Sequence, residues 1–320
     1  MKRYSRVWIA GMFALACGGK ADSAGLAREP EELAGTHASA GDPIAFTALD
    51  APGMSSTRTT GINDSGQIVV TAYSAGRAHA FVLAAGLFTN IDIPLSATCY
   101  PSPCPTFETA ANGINAAGDI VGAFGTIRTR FYWGYAHGFL RSNGAVTRVD
   151  MPRAFATQAL GINGGGQIVG RYLDAPIMVD FDYYIQGKAH GFLRSNGVFT
   201  KIEPPGAVAS GASGINDVGQ IVGWFGDGHS AHGFLFDGNG YTSIDVPGAI
   251  RTSALGINAA GQIAGTFTDA SSVNRGFLLS SGVFTTIDLP GVSGTNVLGL
   301  NDVGQIVGSY AEHGFVASGF

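Results

Sequence analysis

Gly214-Ile215-Asn216-Asp217-Val218-Gly219-Gln220-Ile221-Val222-Gly223-Trp224-Phe225 opens the unit that decides the fold. It runs on through His232-Gly233-Phe234-Leu235 to Tyr241-Thr242-Ser243-Ile244-Asp245-Val246-Pro247-Gly248. Asn216 starts a tight turn, since an Asn side chain bonds its own backbone and Gly219 accepts positive φ. The short apolar runs on either side have strand character. Four strands result: a ends at Gly-Ile-Asn, b is Gln-Ile-Val-Gly, c is His-Gly-Phe-Leu, and d leads to Ile-Asp before Pro-Gly.

The unit repeats. Gly-Ile-Asn stands at Gly61, Gly113, Gly161, Gly214 and Gly256, with Gly299-Leu300-Asn301 as a sixth copy. From Gly214 to Gly256 is 42 residues, which suits a four-stranded propeller blade. A helical solenoid would need a 3.6-residue pattern, which is absent. The chain stops at His313-Gly314-Phe315-Val316-Ala317-Ser318-Gly319-Phe320, strand c and the tip of its turn, while an orphan strand d, Phe46-Thr47-Ala48-Leu49-Asp50, stands near the beginning. The N-terminal strand therefore completes the last blade and leaves no break in the ring. The expectation is an all-β, six-bladed β-propeller of four-stranded antiparallel blades over residues 44–320.

Composition agrees. Of 320 residues 49 are Gly, without a G-X-Y period, and 45% are apolar against 13% charged, which excludes collagen and disorder. Lys2, Arg3 and Arg6 precede an apolar run from Val7 to Ala16 that suits a signal peptide at 1–16 and is too short to span a bilayer. Ala14-Leu15-Ala16 fits plain secretion, while Leu15-Ala16-Cys17-Gly18 resembles a bacterial lipobox. Lipidation of Cys17 is preferred, because secretion would leave an odd thiol there. Residues 17–43 then read as a lipid-anchor Cys and a flexible tether, and the protein as exported, extracellular or on the outer membrane. Losing the three cations of residues 1–16 takes the net charge from −5 to −8, which argues against a nucleic-acid partner.

Five of the seven histidines share one repeat position: His79, His137, His190, His232 and His313. They look like a ligand ring. However, strand c is third from the axis and strands lie about 4.8 Å apart, so histidines of different blades cannot share an ion. Hairpin register instead pairs each with an acid thirteen residues on: His79 with Asp92, His137 with Asp150, His190 with Glu203, His232 with Asp245. In blade five Arg275 faces Asp288, and in blade six His313 reaches Asp50 through the ring closure. A structural cross-strand pair is the expected role. The glycines of Ile-Val-Gly (Gly122, Gly170, Gly223, Gly265, Gly308) are read as points of close approach by the next blade. No P-loop, dinucleotide fingerprint, G-x-S-x-G or zinc spacing occurs, so no cofactor, metal or catalytic residue is assigned.

Gly-Ile-Asn-x-x-Gly-Gln-Ile-Val followed by His79-Ala80-Phe81 resembles the HAF-type extracellular repeat family of bacteria, over residues 44–320. Most copies here read His-Gly-Phe and lack the Trp common after the leucine, which marks a divergent branch. The resemblance implies an exported propeller-like repeat and carries over no functional residue.

Function should lie where the repeat is broken. The b–c loops hold 5, 12, 17, 6, 7 and 2 residues, and the d–a step from Pro to Gly is nine except from Pro94 to Gly113, where it is nineteen. The enlarged loops crowd one sector of one face. One contains Cys99 and Cys104, a candidate disulfide. The others offer Arg130, Tyr132, Trp133 and Tyr135, and Asp180, Asp182, Tyr183 and Tyr184. Exposed aromatics among Arg and Asp suit a sugar or peptide, although they equally serve to anchor long loops. Asp180 and Asp182 alone make a thin cation or acid–base site. The resulting expectation is a monomeric, non-catalytic surface protein binding a glycan, peptide or envelope partner. A carbohydrate-active hydrolase or lyase and a purely structural envelope repeat are the alternatives.

Overall fold

Each Gly-Ile-Asn unit folds as the innermost strand of a four-stranded antiparallel sheet, and six such sheets form the ring of a six-bladed β-propeller. The computed structural model describes residues 32–34, 44–94, 108–125, 136–175, 178–180, 183–185 and 188–320, and among these there is no helix. Blade four shows the plan: a, Ala209–Ile215; b, Ile221–Gly226; c, Ala231–Phe236; d, Tyr241–Ile244. Strand a carries a β-bulge just before its Gly-Ile-Asn, between Ala212 and Gly214 here and at the same place in every blade. Because strands alternate in direction, the a–b and c–d turns share one face, the turn face. The b–c loops and d–a corners share the other, the loop face.

Blade six is assembled from both ends of the chain. Thr295–Leu300, Ile306–Tyr310 and His313–Ser318 are its strands a to c, and Ala45–Leu49 pairs antiparallel with the last of them as strand d. Phe46 and Phe315 pack edge to face across that seam, ring centroids 5.7 Å apart, and both are fully buried. Glu32–Ala34 adds a fifth strand outside Ala45–Leu49, with Leu33 opposite Phe46. The segment read as a tether thus contributes backbone pairing at these three residues.

The core lies between blades. Val169 and Ile202 of blade three pack with Ala212, Ile215, Ile221 and Phe234 of blade four, all buried. The glycines of Ile-Val-Gly serve this packing differently from the expectation of contact with the next blade. A Cβ at Gly170 would lie 2.0 Å from the Gln158 carbonyl and 2.8 Å from the Phe192 ring, both in its own blade. The cause is the adjacent bulge in strand a, where the carbonyl and the core phenylalanine close over the glycine. Glycines of Gly-Ile-Asn do meet the next blade, where a Cβ at Gly214 would be 2.9 Å from the Leu255 carbonyl. Blade one has Val70 in place of the strand-b glycine, and its Phe81 stays 8% exposed while Phe139, Phe192, Phe234, Phe277 and Phe315 are at 0%.

Corners between blades follow a further rule. The N–H after the strand-d acid donates to a threonine hydroxyl in the next strand a, as in Ala51 to Thr57 (3.0 Å) and Val246 to Thr252 (3.1 Å). After Glu203 the chain has Pro204, which carries no N–H. There the hydroxyl belongs to Ser210, which accepts from Gly191 N and donates to Ile202 O, each at 3.0 Å.

Candidate functional site

Strand a brings its Ile-Asn pair to the propeller axis. Ile62, Ile114, Ile162, Ile215, Ile257 and Leu300 ring the channel and border both of its chambers. The chamber toward the turn face is a cavity of about 120 Å³, lined by the asparagines and the residues after them. The chamber toward the loop face, about 90 Å³, is lined by the glycines with Thr60, Asn112, Leu160, Ser213, Leu255 and Leu298.

The asparagines close a circle. Asn63 Nδ2 donates to the Asn115 carbonyl at 3.0 Å, Asn115 to Asn163 and Asn163 to Asn216 at 3.1 Å each. Asn216 then donates to Asn258 at 3.1 Å, Asn258 to Asn301 at 3.3 Å, and Asn301 back to Asn63 at 3.1 Å. Each Oδ1 meanwhile caps its own turn, accepting the N–H four residues on, as from Gln220 at 2.9 Å. The self-cap was legible in the sequence, whereas the link to the next blade was not. The identical Asn in all six copies was the signal for it, since a turn alone would tolerate Asp or Ser. Of the residues that follow, Asp217, Asp302 and Asp64 accept N–H groups of the preceding blade at 2.7–2.8 Å. These polar groups are therefore committed to joining blades. Among the described residues no group of three His, Cys, Asp or Glu is placed to hold a metal ion.

Farther out, the thirteen-residue offset brings five cations to their acids, and the ring closure does so in blade six. His79 Nδ1 lies 2.8 Å from Asp92, His137 3.0 Å from Asp150, His232 2.9 Å from Asp245, and His313 2.9 Å from Asp50. His190 meets Glu203, and Arg275 meets Asp288. Arg148 joins the second pair, 2.6 Å from Asp150, and despite the burial that opposes it, hydrogen bonds from His137 and Arg148 hold that carboxyl below its usual range. All these groups are partly exposed, where an ion pair gives about 0–1 kcal/mol.

Sequence reasoning missed a set of positions on the loop-face side of the channel wall. In strand a, residues 58, 110, 158, 211, 253 and 296 pair with residues 71, 123, 171, 224, 266 and 309 of strand b. The repeat loses its identity there, which is the signal that could have found them. Half-buried Trp224 lies over Gly211, where a Cβ would come within 2.7 Å of the indole Nε1. Arg171 Nε donates to Gln158 Oε1 at 3.1 Å. Burial lowers the Arg171 guanidinium to about 10, so it stays charged at neutral pH. Exposed Arg58 lies 5.9 Å from the Tyr73 ring.

The enlarged loops hold the sequence-derived candidates. Arg130, Tyr132, Trp133, Tyr135 and Asp182 lie outside the described residues, as do Cys17, Cys99 and Cys104. Asp180, Tyr183 and Tyr184 fall in a small hairpin, Met178–Asp180 with Tyr183–Ile185, whose backbone pairing is described.

The fold and channel define a six-bladed propeller, and solved structures agree. The chain resembles a gluconolactonase from Xanthomonas campestris over 92% of this chain and 96% of that one, at 9% identity and a TM-score of 0.53. It also resembles a catalytically inactive virginiamycin B lyase from Staphylococcus aureus (86% and 99% covered, 14% identity, TM-score 0.49). A fucose-specific lectin from Aleuria aurantia is a third (80% and 93% covered, 11% identity, TM-score 0.45). At such identities the likeness is one of fold. No protein-family model matches the chain, and no curated protein does.

Proposed function

We propose that this chain is a non-catalytic, exported surface protein, a divergent member of the HAF-type repeat family, whose loop face binds a glycan. One observation carries the reading: the polar side chains that recur in every blade are spent on the scaffold. The asparagines close the axis, the histidines pair with their own strand-d acids, and a ring of Ile and Leu walls the channel between its chambers. What remains for recognition is the loop face, where the repeat is broken. Half-buried Trp224 supplies there a stacking surface of the kind that suits a sugar ring. Peptide and envelope partners fit the same face through the aromatics of the long loops.

Incubating the full chain with an array of bacterial, plant and fungal glycans and with envelope extract, followed by product analysis, tests this. Binding without new reducing ends or unsaturated sugars is the expected result. Turnover of any polysaccharide would replace the reading by that of a hydrolase or lyase. Absence of every ligand would leave a structural envelope repeat.

A further inference from the structure

Blades three, four and five hold their strand-c cation between two carboxylates. In blade four His232 Nδ1 lies 2.9 Å from Asp245 at the d–a corner, while Nε2 faces Asp227 Oδ2 of the b–c loop at 3.6 Å. In blade three His190 Nδ1 meets Glu203 at the corner and Nε2 lies 3.3 Å from Asp174 of the loop. In blade five Arg275 Nε lies 2.7 Å from Asp269 of the loop and Nη1 meets Asp288 at the corner. Among the described residues, His79 of blade one and His313 of blade six have no loop carboxylate contact and meet Asp92 and Asp50.

The chemistry of the cation separates these blades. A neutral imidazole has one N–H and can donate to one carboxylate only; an imidazolium donates from both nitrogens. Arginine donates from several nitrogens at any physiological pH. We propose that His232 and His190 are proton-operated clasps that tie the b–c loops of blades four and three to their d–a corners, and that Arg275 is the same clasp made permanent. This rests on the reading of the loop face as the binding face, and names how that face is regulated.

Among the described residues, the other charged groups around the clasps are few. Around His232 they are Asp245 from the strand-d end and Asp227 from the loop, with His229 near Asp227 and the Phe225 ring 5.2 Å away. Around His190 they are Glu203, Asp174 and Lys201, whose Nζ lies 3.9 Å from Glu203, with the Tyr172 ring stacked at 5.1 Å. Asp174 Oδ1 also accepts the Lys188 N–H at 2.9 Å, and Asp227 Oδ1 those of His229 and Ser230 at 2.7 and 2.8 Å, so each loop carboxylate is already oriented toward its ring. The hydrogen bond His232 donates to Asp245 raises the His232 pKa, in the direction the clasp requires.

Hydrogen exchange of the full, unliganded chain between pH 5 and 8.5 tests the clasp, with rates expressed as protection relative to free peptides at the same pH. Protection of the Lys188 amide and of residues 227–230 is expected to fall at least about threefold with rising pH, while residues 269–274 stay constant. His232→Arg and His190→Arg are expected to flatten the profiles of their own loops. Asp227→Asn and Asp174→Asn are expected to do so too, with lower protection at pH 5. Protection independent of pH in the wild type, or a fall that survives these substitutions, overturns the proposal. Should an Arg variant fail to fold, the Asn variant of the same blade decides. With no ligand present, a flat profile removes the clasp and leaves the binding reading intact, and a failed ligand screen does the reverse.

Discussion

Asn216 holds two blades with one amide: Oδ1 caps its own turn while Nδ2 reaches the Asn258 carbonyl. Asn216→Ala is expected to lower stability by about 1–3 kcal/mol in denaturant unfolding, because it strands a buried acceptor in the neighbouring blade as well as the local donor. Gly170→Ala, which drives a Cβ to 2.0 Å from Gln158 O, is expected to lose about 3 kcal/mol, against little for Ala at a c–d turn site such as Gly240, where nothing lies within 4 Å. For His232 the sign follows from its raised folded-state value. Its contribution is full below the unfolded value of 6.5 and is lost as pH rises through the higher folded one. A gentle decline in Tm above that pH, absent in Asp245→Asn, is the expected melting-curve result. In five blades the cation–acid offset could be read from hairpin register alone, and in blade six it needed the ring closure as well. The asparagine circle could not be placed by register, because its acceptors are backbone carbonyls of another blade, and only the unvarying Asn of all six copies hinted at it.

Strands tell a similar story. The missing strand d at the C-terminus pointed to Ala45–Leu49 because its Phe-Thr-x-Leu-Asp matches the other copies. The extra pairing of Glu32–Ala34 left no such trace, since an edge strand joined through backbone alone needs no alternation of side chains. The ring depends on the seam at blade six. Phe46→Ala is expected to cost about 3–5 kcal/mol in unfolding experiments. Asp50→Ala, which removes only the exposed partner of His313, is expected to cost about 0.2–1 kcal/mol. Equal losses would mean that the seam is held by its ion pair. The corner after Glu203 shows how one residue redirects an element: Pro204 removes the N–H that threonine accepts elsewhere, and Ser210 takes over with different partners.

For the whole molecule, near six-fold regularity on the turn face contrasts with a broken repeat on the loop face. Loop lengths located that broken sector in the sequence. The inner positions beside it, Arg171 with Gln158 and Trp224 over Gly211, stayed hidden because they lie inside regular strands. Their placement comes from register, which sets each pair across strands a and b of its own blade. In the proposed function the loop face binds and the scaffold only presents it. The most direct measurement is the affinity of the full chain for the best glycan of the array, compared across three variants. Trp224→Ala and Trp133→Ala are expected to weaken binding at least about tenfold with unchanged Tm, and Val218→Asp, 74% exposed on the turn face, to leave it intact. Binding that survives both tryptophan substitutions, or that is lost with Val218→Asp, would contradict the account.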